Sequence, residues 1–182
     1  GTYIENITWP PTNSIKLIGS GENECIIDGD SLASVIRFEE NLGGIIDSTT
    51  IVMGFTIQNG YAQGDMPYST GGGIYCDSSS PSLVNLAIIE NSASDEGGGG
   101  ICCVNSSNLS LSNVMISGNS APEYGGGILC VNNSNLSLTN VTIMGNLVTG
   151  NSDYYGGGGL ACFFASPTLT NVTIAGNFAQ NG

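Results

Sequence analysis

The chain has 182 residues, with two basic side chains against fifteen acidic ones and a net charge of −13. A phosphate backbone or an anionic membrane surface would repel it, and no basic stripe offsets this, which argues against nucleic-acid partners and against docking on anionic lipid. No run of about 18 apolar residues could span a bilayer. The 40% hydrophobic content, laid out in short alternating runs, predicts packed strands rather than disorder.

Residues 1–29 alternate short apolar runs (Tyr3–Ile7, Ile15–Ile18, Cys25–Ile27) with Pro-Pro, Gly-Ser-Gly and Asp-Gly-Asp turns. Val35–Phe38 and Ile51–Ile57 continue this less regular opening to about residue 60, with no helical stripe anywhere. Beyond it the chain repeats. Ile74, Ile101, Ile128 and Leu160 each follow a glycine run, at spacings of 27, 27 and 32, and Cys76, Cys103, Cys130 and Cys162 keep those spacings. Later in each unit come Leu83, Leu111, Leu138 and Leu169, then Leu86, Val114, Val141 and Val172, then Ile88, Ile116, Ile143 and Ile174. A fixed period in this range marks a solenoid, in which each repeat buries its apolar face only against its neighbours.

Within one unit, Ile128 and Cys130 share a strand face, as do Leu136 and Leu138, and Val141 and Ile143, because side chains two apart point the same way. Parity breaks between Leu138 and Val141, so the chain bends near Thr139–Asn140, and it bends again at Gly145–Asn146. Asparagine recurs at both bends: Asn85, Asn113, Asn140 and Asn171 at one, Asn91, Asn119, Asn146 and Asn177 at the other. Asparagine tolerates left-handed backbone, and stacked copies predict amide ladders. The glycine run supplies the third corner. The four periodic cysteines share the inward parity of the isoleucines and predict a column of free core thiols, with Cys102 pointing outward and Cys25 outside the column. No metal site is read, because the chain has no histidine and stacked rows do not make a tetrahedron.

The segments before each glycine run vary in length and are expected to be loops along one edge. They carry Asp65 and Tyr68, Asp95 and Glu96, Glu123 and Tyr124, and Asp153, Tyr154 and Tyr155. Tyrosine faces suit sugar rings, and clustered carboxylates suit Ca²⁺ as a cofactor. The alternative is a solvated rim, since no loop has the spaced ligands of a calcium loop. Among the Asn-x-Ser/Thr sequences, Asn105 and Asn132 sit at a more exposed bend than the corner asparagines and are the better glycosylation acceptors.

GTYIENI, IKLIGSG, IIDG and GFTIQN resemble the opening rungs of the right-handed parallel β-helix superfamily, the pectin-lyase-like proteins. The GGGI and I-x-x-N units are similar to repeats of polymorphic outer-membrane and related bacterial surface proteins, with Gly in place of Ala and Ile in place of Phe. The resemblance implies an all-β, right-handed parallel β-helix of three short strands per rung and roughly six rungs. Residues 1–182 then form one domain, with 1–60 as opening rungs and 61–182 as regular repeats. It also implies that an enzyme of this kind would use aspartates with a basic residue, and Arg37 with Asp28, Asp30 and Asp47 is the set available. Against that, IIDGD is an ordinary turn, Arg37 has Glu39 or Glu40 to balance it, and the longer catalytic motifs are absent.

The expectation is a non-catalytic structural or adhesive segment of a secreted or cell-surface protein. Its partners would be polysaccharides or other surface proteins, met along the loop edge. The rivals are a polysaccharide lyase or hydrolase and a filament subunit stacking head to tail. The chain opens mid-motif at GTY and stops where earlier copies enter GGG, so it reads as a segment of a longer protein in preference to a filament subunit.

Overall fold

A computed structural model describes residues 1–39, 46–151 and 153–180. The described residues form short strands in three sheets of ten, six and five strands, and the strands pair in parallel. The six-stranded sheet holds one strand from each turn of the coil, so the solenoid has six turns. Registers follow the sequence period. Ile74, Ile101, Ile128 and Leu160 pair in succession, as do Cys76, Cys103, Cys130 and Cys162. The irregular opening joins the same columns: Ile36 lies beside Ile74 and Phe38 beside Cys76. Leu17 lies beside Val52, which lies beside Leu83.

The columns converge on a single core that includes Phe38, Ile57, Ile88, Leu111, Ile116 and Ile143. Burial of each aliphatic side chain contributes roughly 1.5–3 kcal/mol, which makes these columns the main source of cohesion between turns. In the last described rung, Leu169, Ile174 and Cys162 lie in the same columns but are exposed.

The two asparagine corners work differently. Strands Ser82–Ile89, Ser110–Ser117 and Ser137–Met144 run through the first corner, with Asn85, Asn113 and Asn140 at φ of 50, 55 and 54° skipped by the pairing. One left-handed residue reverses parity there, so Leu83 and Leu86 both point inward. At the second corner the positive φ belongs to the residue before the asparagine: Glu90, Gly118, Gly145 and Gly176. Here asparagine is selected for its amide and not for its backbone, which corrects the expectation from the sequence. At the glycine corner, a Cβ on Gly99 would lie 2.2 Å from the Ser120 carbonyl oxygen and 2.6 Å from that of Gly126, so successive turns touch backbone to backbone.

The variable segments are not loops throughout. Each begins with a two-residue strand (Tyr61–Ala62, Ser92–Ala93, Ser120–Ala121, Leu147–Val148, Phe178–Ala179), and these make the five-stranded sheet. Ala62, Ala93, Ala121 and Val148 are buried, a column that short side chains hide from a hydrophobicity reading. Only the stretches after them protrude.

Candidate functional site

Stacks of side-chain hydrogen bonds lock the turns together, and three of them reach across the corners of the coil. In the first, Asn113 Nδ2 donates to Asn85 Oδ1 at 3.0 Å, Asn140 to Asn113 at 3.1 Å and Asn171 to Asn140 at 2.8 Å, all at the surface. In the second the donors point the other way: Asn91 Nδ2 to Asn119 Oδ1 at 3.1 Å, Asn119 to Asn146 at 2.9 Å and Asn146 to Asn177 at 2.9 Å. Each of these oxygens also accepts the backbone N–H of the preceding asparagine at 3.0 Å. The Nδ2 groups of Asn91, Asn119, Asn146 and Asn177 donate as well to the carbonyls of Ile57, Ile88, Ile116 and Ile143. The third stack was not anticipated: buried Ser79, Ser107 and Ser134 bond N–H to Oγ from turn to turn at 3.2 Å. Its 28- and 27-residue spacing is visible in the sequence, but serine is too frequent in this chain for it to stand out.

Cys76, Cys103 and Cys130 are fully buried and unpaired, and Cys162 continues the column into solvent. Burial drives the Cys103 thiol well above its ordinary pKa, and the Cys103 thiol beside it raises that of Cys130. These are core groups. Cys102 points away from the core, as its strand parity predicts, and is nevertheless only 1% exposed. It joins Tyr75, Leu129 and Ala161 in a second apolar cluster on the outer face of the six-stranded sheet, covered by Tyr124, Val104 and Val131. Burial pushes its thiol up to about 12. Cys25 lies elsewhere, its thiol lowered by hydrogen bonds from the Ser20 hydroxyl and N–H.

Arg37 and the aspartates named with it have separate partners. Arg37 is 6% exposed and held on all sides: Nε donates to Glu39 at 2.7 Å, Nη1 to Ser34 Oγ at 3.0 Å and Nη2 to the Pro67 carbonyl at 3.3 Å. Its guanidinium also lies 4.0 Å from the Tyr75 ring centre and 4.9 Å from that of Tyr68. It clamps the segment carrying Asp65 and Tyr68 onto the shaft. Glu40, the other balancing candidate, lies outside the described residues. Asp28 accepts from Gln58 and Asn59 at 2.8 Å and from the Asp30 N–H at 3.0 Å. Burial works to raise its pKa, but these bonds outweigh burial and the net shift is downward. Asp47 accepts from Thr49, whose hydroxyl and N–H bonds, with Asn13, hold its pKa down. No group of three or more metal-ligating side chains occurs among the described residues.

The edge residues Glu96, Glu123, Tyr124 and Tyr155 do come together. Isolated bridges tie Tyr124 to Gly97 and Gly156, and the N–H groups of Glu123 and Tyr124 both donate to the Glu96 carbonyl at 2.9 Å. Tyr124 packs edge-on against Tyr155 (centroids 5.6 Å apart) and Phe163 (4.8 Å), while Tyr155 OH donates to Glu123 Oε1 at 3.0 Å. Partial burial raises the Glu96 pKa, with further contributions from Asp95 and Glu123. Beside this cluster runs a groove of about 400 Å³, lined by Leu129, Val131 and Phe163 of the six-stranded sheet together with Glu96, Glu123, Tyr124, Asn132 and Phe164. Asp153 and Tyr154 are exposed further along the edge, and Asn105 and Asn132 are exposed at φ near 55°. Asn105 Nδ2 donates to Asp77 Oδ1 at 2.9 Å. Phe163 and Phe164 were missed because they lie in the strand and turn of the last glycine-run repeat, outside the acidic segments.

No curated protein and no solved structure matches the chain. The family model for the right-handed β-helix region matches residues 5–182. With its parallel sheets, stacked columns and six turns, the chain belongs to the right-handed β-helix family.

Proposed function

We propose that this domain is a rigid, non-catalytic shaft of a secreted or cell-surface protein that holds a glycan along its loop edge. The observation that carries this reading is the groove on the outer face of the six-stranded sheet, where Tyr124, Phe163 and Phe164 supply aromatic surface beside Glu96, Glu123 and Asn132. Aromatic faces with a few polar groups at the margin suit the apolar faces and hydroxyls of sugar rings. The shaft supports this use: the turns beneath are fixed by core columns and by hydrogen-bonded stacks, so the groove is preformed. The buried Arg37, bonded to Glu39, Ser34 and the Pro67 carbonyl, makes a poor general base, which weighs against the polysaccharide-active alternative.

The test is retention of the protein on a panel of insoluble polysaccharides, with soluble products assayed in parallel. Retention that falls in Tyr124→Ala and Phe163→Ala, without release of sugar, is expected. Absence of retention, or new reducing or unsaturated ends, contradicts it.

A further inference from the structure

Within the glycan reading, on which this inference rests, the charge of the groove selects the ligand. We infer that it takes a cationic sugar polymer, one bearing free amino groups, in preference to a neutral or uronic-acid chain. The fold holds the Glu96 and Glu123 backbones in adjacent turns through the bonds from Glu123 N–H and Tyr124 N–H to the Glu96 carbonyl. Both side chains line the same groove, and the Glu123 charge, after burial and Asp95, contributes to the raised pKa of Glu96. No lysine or arginine lines the groove, and with only two basic residues in the chain none is spare: Arg37 is committed to Glu39, and Lys16 lies in a strand of another sheet. A uronic-acid chain would add like charge to a protein of net charge −13. An ammonium seated between the carboxylates and the rings relieves the repulsion and gains cation–π attraction.

A further lining residue, Phe164, adds aromatic surface for a cation. Asn105 and Asn132 occupy the left-handed turn in the two preceding rungs, at φ of 55 and 54°, and the equivalent position in the next rung is Phe164 at 53°. An asparagine would fit this backbone with less strain, whereas phenylalanine strains it and is 87% exposed. That ring lines the groove with Phe163, where a cation can sit over an aromatic face.

The experiment is calorimetric titration at low salt with four tetramers: fully deacetylated glucosamine, its N-acetylated counterpart, galacturonate and lysine. Wild type is compared with Glu123→Gln, which keeps an acceptor for Tyr155, and with Phe164→Asn, which restores the residue of the preceding rungs and so preserves the fold. The deacetylated tetramer is expected to bind tightest, to weaken about tenfold in each variant, and to weaken further as salt screens the charge. If the acetylated or galacturonate tetramer binds as well or better, the charge inference is overturned while the glycan reading stands. If only the lysine tetramer binds, or none does, both are overturned.

Discussion

The two asparagine ladders have the same residue, nearly the same period and the same amide-to-amide bond, yet they differ in what surrounds them. Asn113 sits at the surface, and water can replace its neighbour's amide if the bond is lost. Asn119 is buried, and its side chain is the acceptor for the Asn91 N–H and Nδ2 and a donor to both Asn146 and the Ile88 carbonyl. A hydrogen bond contributes only about 1 kcal/mol net, but a buried group left without a partner costs about 1–3 kcal/mol. Burial therefore decides which ladder holds the coil and which mainly permits a bend.

The largest effect expected from this difference is in Asn119→Ala, which orphans the Asn91 N–H and the Ile88 carbonyl. Chemical denaturation should show a loss of about 3 kcal/mol. Asn113→Ala forces an ordinary side chain into left-handed backbone and should cost about 1 kcal/mol, while Asn113→Gly, free of that penalty, should be close to neutral. Equal losses for Asn113→Gly and Asn119→Ala would mean that the amide bond itself, and not its burial, carries the stability.

The smallest effects come from pH, which titrates neither ladder. Glu96 has a raised pKa in the fold, so its charged form opposes folding above that value. Lowering pH through the folded value toward its unfolded value of roughly 4.3 removes the penalty, and Tm should rise slightly relative to Glu96→Gln. Asp28 has the opposite sign. Its contribution is complete above its unfolded value of roughly 3.9 and is lost below it as pH falls through the depressed folded value; Asp28→Asn should remove that acid-limb dependence.

Much of this architecture was legible because parallel stacking turns three-dimensional neighbours into a sequence period. Ile101, Cys103, Leu111 and Ile116 could be placed inward from i, i+2 parity and a 27-residue repeat alone. Both ladders could be located in the same way, but not their burial or their differing backbone, because period says nothing about which side of the wall a corner side chain takes. The outer face was the least legible part. Tyr75, Cys102 and Leu129 alternate correctly, but their cover comes from Val104 and Val131 on the same face and from Tyr124 of an edge segment, which parity does not reveal. The groove falls between these cases: Glu123 and Tyr124 stood out by composition, whereas Phe163 and Phe164 became part of it only through the register that sets Phe163 beside Val131.

Hydrogen exchange of the asparagine side-chain amides, followed by NMR, reads the two ladders in one sample. The account predicts that the Asn119 amide protons exchange only when the whole coil opens, while those of Asn113 exchange orders of magnitude faster through local fluctuation. Matching rates at the two positions, or fast exchange at Asn119, would contradict it.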